Sequence, residues 1–329
     1  MILIFTAAVL LLVFFFIVTI WYVVTQPLVW LQVEPKVISK LDISPERLEE
    51  HVRKISEEFT PRSYQDVDNL NRVADYIRDN FAETDGRVTE QSYEIDGTVY
   101  RNVICSFGPR DGERIVIGAH YDAFGPYSGA DDNASGVAGL LELAHALDRW
   151  SLPLRVDLVA YTLEEPPYFR SPDMGSAVHA RSLKEQNVDV RLMIALEMIG
   201  YFADAEDSQA FPSPLLKLFY PRKGDFIAIV GATANARVTR QVRKAMMFNN
   251  DALRVYSINA PRFIPGIDFS DHLNYWSAGY QAVMVTDTAF YRNRSYHSQQ
   301  DTADRLDYQR MAWTVDGVHI AILEIANAD

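Results

Sequence analysis

His120, Asp131, the adjacent Glu164 and Glu165, Glu197 and His297 are side chains of the kind that hold a hydrolytic metal ion. Imidazoles and carboxylates bind such a cation, and hydrolysis needs in addition a base outside the coordination sphere to accept a proton from the attacking water. The acidic pair can divide that work, with Glu165 as ligand and Glu164 as base. Two like charges at the end of an apolar run are expensive unless a cation offsets them. A solvated surface pair is the plainer reading of the same residues. Asp122, two positions after His120, could accept from the imidazole and fix its tautomer. A His-x-Asp on its own is equally a solvated loop. Gly129-Ala130-Asp131-Asp132-Asn133-Ala134-Ser135-Gly136 says more. Small residues let a carboxylate approach two ions, although a turn with an N-cap also uses Asp, Asn and Ser.

Positioning these groups requires an ordered scaffold, and the hydrophobic pattern supplies one. Short apolar runs at Ile115 to Ala119, Val156 to Leu163, Leu192 to Leu196, Phe226 to Val230 and Ala282 to Thr286 read as strands. Helical stretches lie near Gly136 to Trp150, Gly175 to Gln186, Val238 to Phe248 and Met311 to Ala326. This alternation predicts an α/β fold with a mostly parallel mixed sheet covered by helices on both faces. Upstream, Ser44-Pro45 reads as a cap and first turn of a helix, and a second helix spans about Val67 to Phe81. Val88 to Phe107 reads as a hairpin turning at Asp96-Gly97. His120, Glu164-Glu165 and Glu197 each follow a strand, which is where open α/β sheets bind ligands.

The net charge of −13 on 329 residues argues against a nucleic-acid partner, since phosphate contacts need clustered Lys and Arg. Cys105 is the only cysteine, so a metal site here uses nitrogen and oxygen donors. Met1 to Val33 contains no charged residue or histidine, and Ile2 to Val24 matches the roughly 20 residues of a bilayer span. With no basic n-region and no small-x-small site, it reads as an uncleaved anchor rather than a signal peptide. Trp21, Tyr22 and Trp30 would suit an interfacial belt. The expected organisation is an anchor at 1–25, a spacer at 26–45 and a catalytic domain at 46–329. The expected location is a single-pass membrane protein, touching the lipid bilayer through its N-terminus, with the domain on the extracytoplasmic side.

His-x-Asp, Gly-x-Asp-Asp-x-Ala-Ser-Gly, Glu-Glu, a later acidic residue and Tyr-His-x-x-x-Asp-Thr together resemble the M28 zinc aminopeptidases over about residues 70–325. The resemblance implies a three-layer α/β/α zinc-peptidase fold and peptide substrates. It implies two zinc ions bridged by Asp131, with Glu165 and His297 on one ion and His120 and Glu197 on the other. It implies Glu164 as general base and a cis bond at Asp131-Asp132; Asp122, through its hold on His120, is expected with Glu164 among the catalytic residues. This chain departs from the family at Glu197, where Asp is common, and at Pro166 to Asp173, a stiff aromatic rim that replaces a short turn. The extra methylene of Glu197 leaves one zinc as an alternative to two. Ser270-Asp271-His272 also resembles a family segment near the metal. Tyr201, Tyr291 and Tyr296 stand beside ligands and could bond substrate. Alternative functions are a glutaminyl-cyclase-like acyltransferase using one zinc, and a tethered ectodomain that binds without catalysis. M20-type peptidases share a similar ligand order but carry a lid domain, for which Glu197 to His297 leaves no obvious room.

Overall fold

The computed structural model describes residues 2–25, 43–249 and 252–328. Most of the expected spacer, together with Trp30, lies outside these residues. The strands are β1 (Arg87–Ile95), β2 (Thr98–Phe107), β3 (Arg114–His120), β4 (Arg155–Tyr161), β5 (Val190–Glu197), β6 (Phe226–Ala232), β7 (Arg254–Ala260) and β8 (Ala282–Thr286). They form one sheet in the order β1-β2-β4-β3-β5-β8-β6-β7. β4, β3, β5 and β8 run parallel, so their carboxyl ends share one edge. β2 and β6 pair antiparallel to the flanks of that block. Every residue of β3 and β8 is buried, as continuous apolar runs between two helical layers require.

The helices are α1 (Ile2–Thr25), α2 (Pro45–Arg53), α3 (Val67–Phe81), α4 (Gly136–Leu147), α5 (Gly175–Glu185), α6 (Ala236–Asn249), α7 (His272–Ser277) and α8 (Tyr308–Ala326). Side chains alternate across the strands, so Ile115 and Ile117 pack under α2, α3, α4 and α8, while Val116 faces α5 and α7. The three-layer α/β/α expectation holds. β7 and α7 are elements that the hydrophobic pattern did not reveal.

The expected membrane anchor is not supported. Among the described residues, no helix is long and apolar enough to cross a membrane. This corrects the single-pass location and the lipid partner. The last turn of α1 is instead engaged with protein. The Thr25 carbonyl accepts from Arg243 Nη1 at 3.0 Å and Ser257 Oγ at 3.2 Å, and Arg240 donates to the Tyr22 hydroxyl at 2.6 Å. Apolar composition alone could not distinguish a lipid-facing helix from one whose end docks on an edge strand.

Candidate metal centre

Parallel pairing brings the exits of β3, β4 and β5 side by side, and each delivers polar side chains to one crevice. His120 ends β3 and Glu197 ends β5, while Glu164 and Glu165 follow β4 by a turn in which Leu163 has φ +60°. The loop before α4 enters from the side with Asp132. His297 comes from the segment after β8, its ring stacked between Tyr296 at 3.8 Å and Phe124 at 4.1 Å.

Asp132 lies between the two imidazoles. Its Oδ1 is 3.4 Å from His120 Nε2 and its Oδ2 is 3.2 Å from His297 Nε2. Glu197 Oε2 is 3.4 Å from His120 Nε2, and Glu165 Oε2 is 3.2 Å from His297 Nε2. Two donor clusters therefore share one carboxylate: His120, Asp132 and Glu197, and Asp132, Glu165 and His297. Glu164 Oε2 stands 3.9 Å from His120 Nε2, outside both clusters. The geometry brings together all the expected side chains except Asp131.

The aspartate at the centre is Asp132, a correction to the expectation. Asp131 points back into the protein. Its carboxylate accepts from Gly200 N at 3.0 Å and Asn293 Nδ2 at 2.9 Å. The cis peptide is likewise one residue later, at Asp132–Asn133. Asp122 also differs in detail. Its carboxylate lies 3.5 Å from His120 Nδ1, but accepts the backbone N–H groups of Glu164 at 3.1 Å and Glu165 at 3.0 Å. It therefore shapes the acidic turn as well as facing the imidazole.

A second tier of contacts fixes the ligand loop. Asp301 accepts from the backbone N–H groups of Asp131 and Asp132 at 3.0 and 3.1 Å. Asn133 donates to the Leu196 carbonyl at 2.8 Å and accepts from Met198 N at 3.1 Å, tying the loop to β5. Ser270 donates to Glu197 Oε2 at 2.7 Å. Ser270 is thus a partner of a site carboxylate rather than a surface turn. Asp301 was visible in the Tyr-His-x-x-x-Asp-Thr pattern. Arg62, whose Nη2 donates to the Gly129 carbonyl of the same loop at 2.5 Å, carried no sequence signal, being a lone arginine far from every motif.

Charge in this crevice is unbalanced. Burial, then Glu165 and Glu197, push the Glu164 carboxyl well above the ordinary value, although His120 opposes the shift. Burial, reinforced by Asp132, pushes Glu165 up to about 7, and burial likewise raises Glu197. Burial favours neutral imidazoles, yet the surrounding carboxylates win. Glu197 and Glu164 hold His120 well above its usual value, and Asp132 and Glu165 hold His297 at about 10. Among the described residues, His120 Nε2, His297 Nε2 and Glu165 Oε1 are buried without a hydrogen-bond partner. Buried polar atoms are rarely left this way unless something binds them. Nitrogen and oxygen donors in two converging sets fit divalent transition-metal ions such as zinc.

Beside Glu197 opens a cavity of about 90 Å³ with almost wholly hydrocarbon walls, including Phe226, Tyr256, Phe269 and Phe290. The Pro166 to Asp173 segment packs against one of these walls. Phe169 packs edge-on against Phe269 at 5.9 Å, and Arg170 bonds Asp268 at 2.5 Å.

The chain is 54% identical over 283 residues to the uncharacterized protein YfbL of Escherichia coli (strain K12), covering 84% of this chain and 86% of that one. It is 23% identical over 242 residues to leucine aminopeptidase 1 of Ajellomyces capsulatus (strain G186AR), covering 69% of this chain and 57% of the relative. It thus spans little more than half the length of that enzyme. The crystal structure of LapB from Legionella pneumophila shares the fold at TM-score 0.66 and 20% identity, covering 87% of this chain and 73% of that one. A glutaminyl cyclase from Fimbriiglobus ruber does so at TM-score 0.66 and 19% identity, covering 88% and 97%. The sequence pattern of peptidase family M28 matches residues 102–320. Matched over most of its length, this chain belongs to peptidase family M28.

Proposed function

We propose that the protein is a zinc-dependent aminopeptidase whose two donor sets, which have Asp132 in common, would hold two ions. One ion would take His120 and Glu197, and the other Glu165 and His297. The observation that carries this reading is the placement of one Asp132 oxygen toward each of two buried imidazole nitrogens that have no hydrogen-bond partner among the described residues. When bound, the two cations supply Lewis acidity and stabilise negative charge developing on the scissile carbonyl oxygen.

The protein's own groups do the rest. Glu164, outside both donor sets but 3.9 Å from His120 Nε2, accepts a proton from the attacking water and returns it to the leaving amine. Asp122 holds the Glu164 and Glu165 backbone so that the two carboxylates diverge. Tyr296 stacks on His297 beside the acidic cluster, where its hydroxyl can bond the reacting peptide. The apolar cavity beside Glu197 receives the N-terminal side chain. Among the described residues, Glu197 is the only ionisable carboxylate lining it, and no cationic side chain lines it. With no cationic side chain to pair a terminal carboxylate, such a cavity suits an apolar side chain.

The full pair of donor sets favours hydrolysis over the one-zinc cyclase alternative, and the presence of every donor argues against a binding-only ectodomain. The experiment is to offer Leu- and Gln-terminated peptides to the purified full chain, with chelator and zinc add-back. Zinc-restored release of free leucine is expected. Cyclisation of the Gln peptide without release of leucine would favour the acyltransferase, and no turnover or zinc uptake would favour the binding ectodomain.

A further inference from the structure

The segment 43–81 precedes the stretch matched to the family, yet one of its side chains reaches the heart of the site. Its docking is firm. Ser44 caps α2 through Arg47 N, and Pro45 fills the first turn. Arg47 then donates to both carboxylate oxygens of the buried Glu142 of α4, at 2.8 and 2.7 Å. Leu48, Val52 and Ile55 pack into the core at 0% exposure. From there the chain delivers Arg62, whose carbonyl accepts from Ala123 N at 3.1 Å.

The Arg62 side chain is wholly buried at 0% exposure. Its Nε donates to the Tyr121 carbonyl at 2.9 Å, and its Nη2 donates to the Gly129 carbonyl at 2.5 Å. Nη1 donates to the Ser128 carbonyl, and Nη2 also faces the Asp132 carbonyl at 3.5 Å. One planar group thus fastens the residue after His120 to the loop that carries Asp132. Asp301 holds the N–H groups of that loop, so the two side chains grip its donors and its acceptors from opposite sides. Gly129 makes the approach feasible. It sits at φ +53°, and a Cβ there would lie 2.8 Å from Arg62 Nη2 and 2.1 Å from the Asp132 carbonyl. A lysine offers a point charge without the fork, so it cannot span these carbonyls at once.

We infer that Arg62 is a positioning residue of the metal centre, fixing Asp132 between the two ions, and that the N-terminal segment thereby completes the site. The inference rests on the two-ion reading above. Groups that orient metal ligands typically change metal affinity about 10–100-fold when removed. The test compares full-length wild type with Arg62→Met and Arg62→Lys. It measures zinc release against a competing chelator, the cobalt(II) absorption spectrum, and kcat and KM on a leucyl substrate. Both variants are expected to release zinc at a chelator concentration at least about 10-fold lower, to show an altered cobalt spectrum, and to lose kcat with little change in KM. A purely structural role would lower the melting temperature yet leave the zinc midpoint and spectrum of the folded protein unchanged, and that result would overturn the assignment. Should Arg62→Met not fold, Arg62→Lys decides by the same criteria. Wild type that takes up neither zinc nor cobalt would sink the two-ion reading instead.

Discussion

In the proposed mechanism the chemistry turns on Glu164 and Asp132, which would do separable jobs. Glu164 lies outside both donor clusters. Glu164→Gln should therefore keep bound zinc while lowering kcat about 10²–10⁴-fold, the usual share of a general base. Substantial turnover by zinc-loaded Glu164→Gln would remove it from that role. Asp132→Asn and Asp131→Asn should part company. The first should lose zinc, and the second should keep it but melt earlier, because Asp131 accepts from Gly200 and Asn293 inside the protein. Metal analysis of both variants checks this, and equal zinc loss would contradict it. The choice between neighbours was not legible in Gly-Ala-Asp-Asp-Asn-Ala-Ser-Gly. Both aspartates are buried, and only the path of the backbone decides which one faces the imidazoles. His120, Glu165, Glu197 and His297 were legible because three of them sit at strand exits and the fourth lies in a recognisable motif.

At the scale of elements, the site is a consequence of parallel pairing. β3 lies between β4 and β5, so side chains at their carboxyl ends must converge. That was readable from apolar runs bounded by charge. β7 was not, because Tyr256, Ser257 and Asn259 interrupt its apolar pattern, and α7, at six residues, is too short to show a helical period. The far end of β4 holds a polar cluster that no motif announced. Asp157 accepts from Ser106 Oγ at 2.6 Å, Arg155 Nε at 2.7 Å and Arg114 Nη1 at 2.9 Å. Burial alone would raise this carboxyl, but Ser106 and the two guanidinium groups hold it below the ordinary value. Its contribution is therefore full above the unfolded carboxylate range and fades as pH falls through the lowered native value. Asp157→Ala should cost about 3–5 kcal/mol by stranding Arg114, with zinc content of the folded protein unchanged. Denaturant titration with metal analysis would test it, and a loss under about 1 kcal/mol would contradict it.

Across the molecule, acid should be more damaging than the acidic composition suggests. Burial lowers His179, His272 and His319 from 6.5 to about 4. The unfolded chain then binds protons first, so stability is full above pH 6.5, declines as pH falls toward 4, and levels off below. Each such histidine accounts for on the order of 3 kcal/mol across that window. His319, with neither ring nitrogen hydrogen-bonded among the described residues, is the cleanest probe. His319→Leu should narrow the stability difference between pH 7.5 and 5, measured by denaturant midpoints; an undiminished difference would count against this origin. The scaffold that carries these groups was largely predictable, whereas the role of α1 was not. Its all-apolar sequence suggested lipid, but Arg243 and Ser257 engage its end through a backbone carbonyl, which composition cannot encode.

The most direct test of the account is diffraction from zinc-loaded crystals at the zinc absorption edge. Two anomalous peaks are predicted, one beside His120 and Glu197 and one beside Glu165 and His297, with an oxygen of Asp132 directed at each. A single peak, or peaks that Asp132 does not touch, would contradict it.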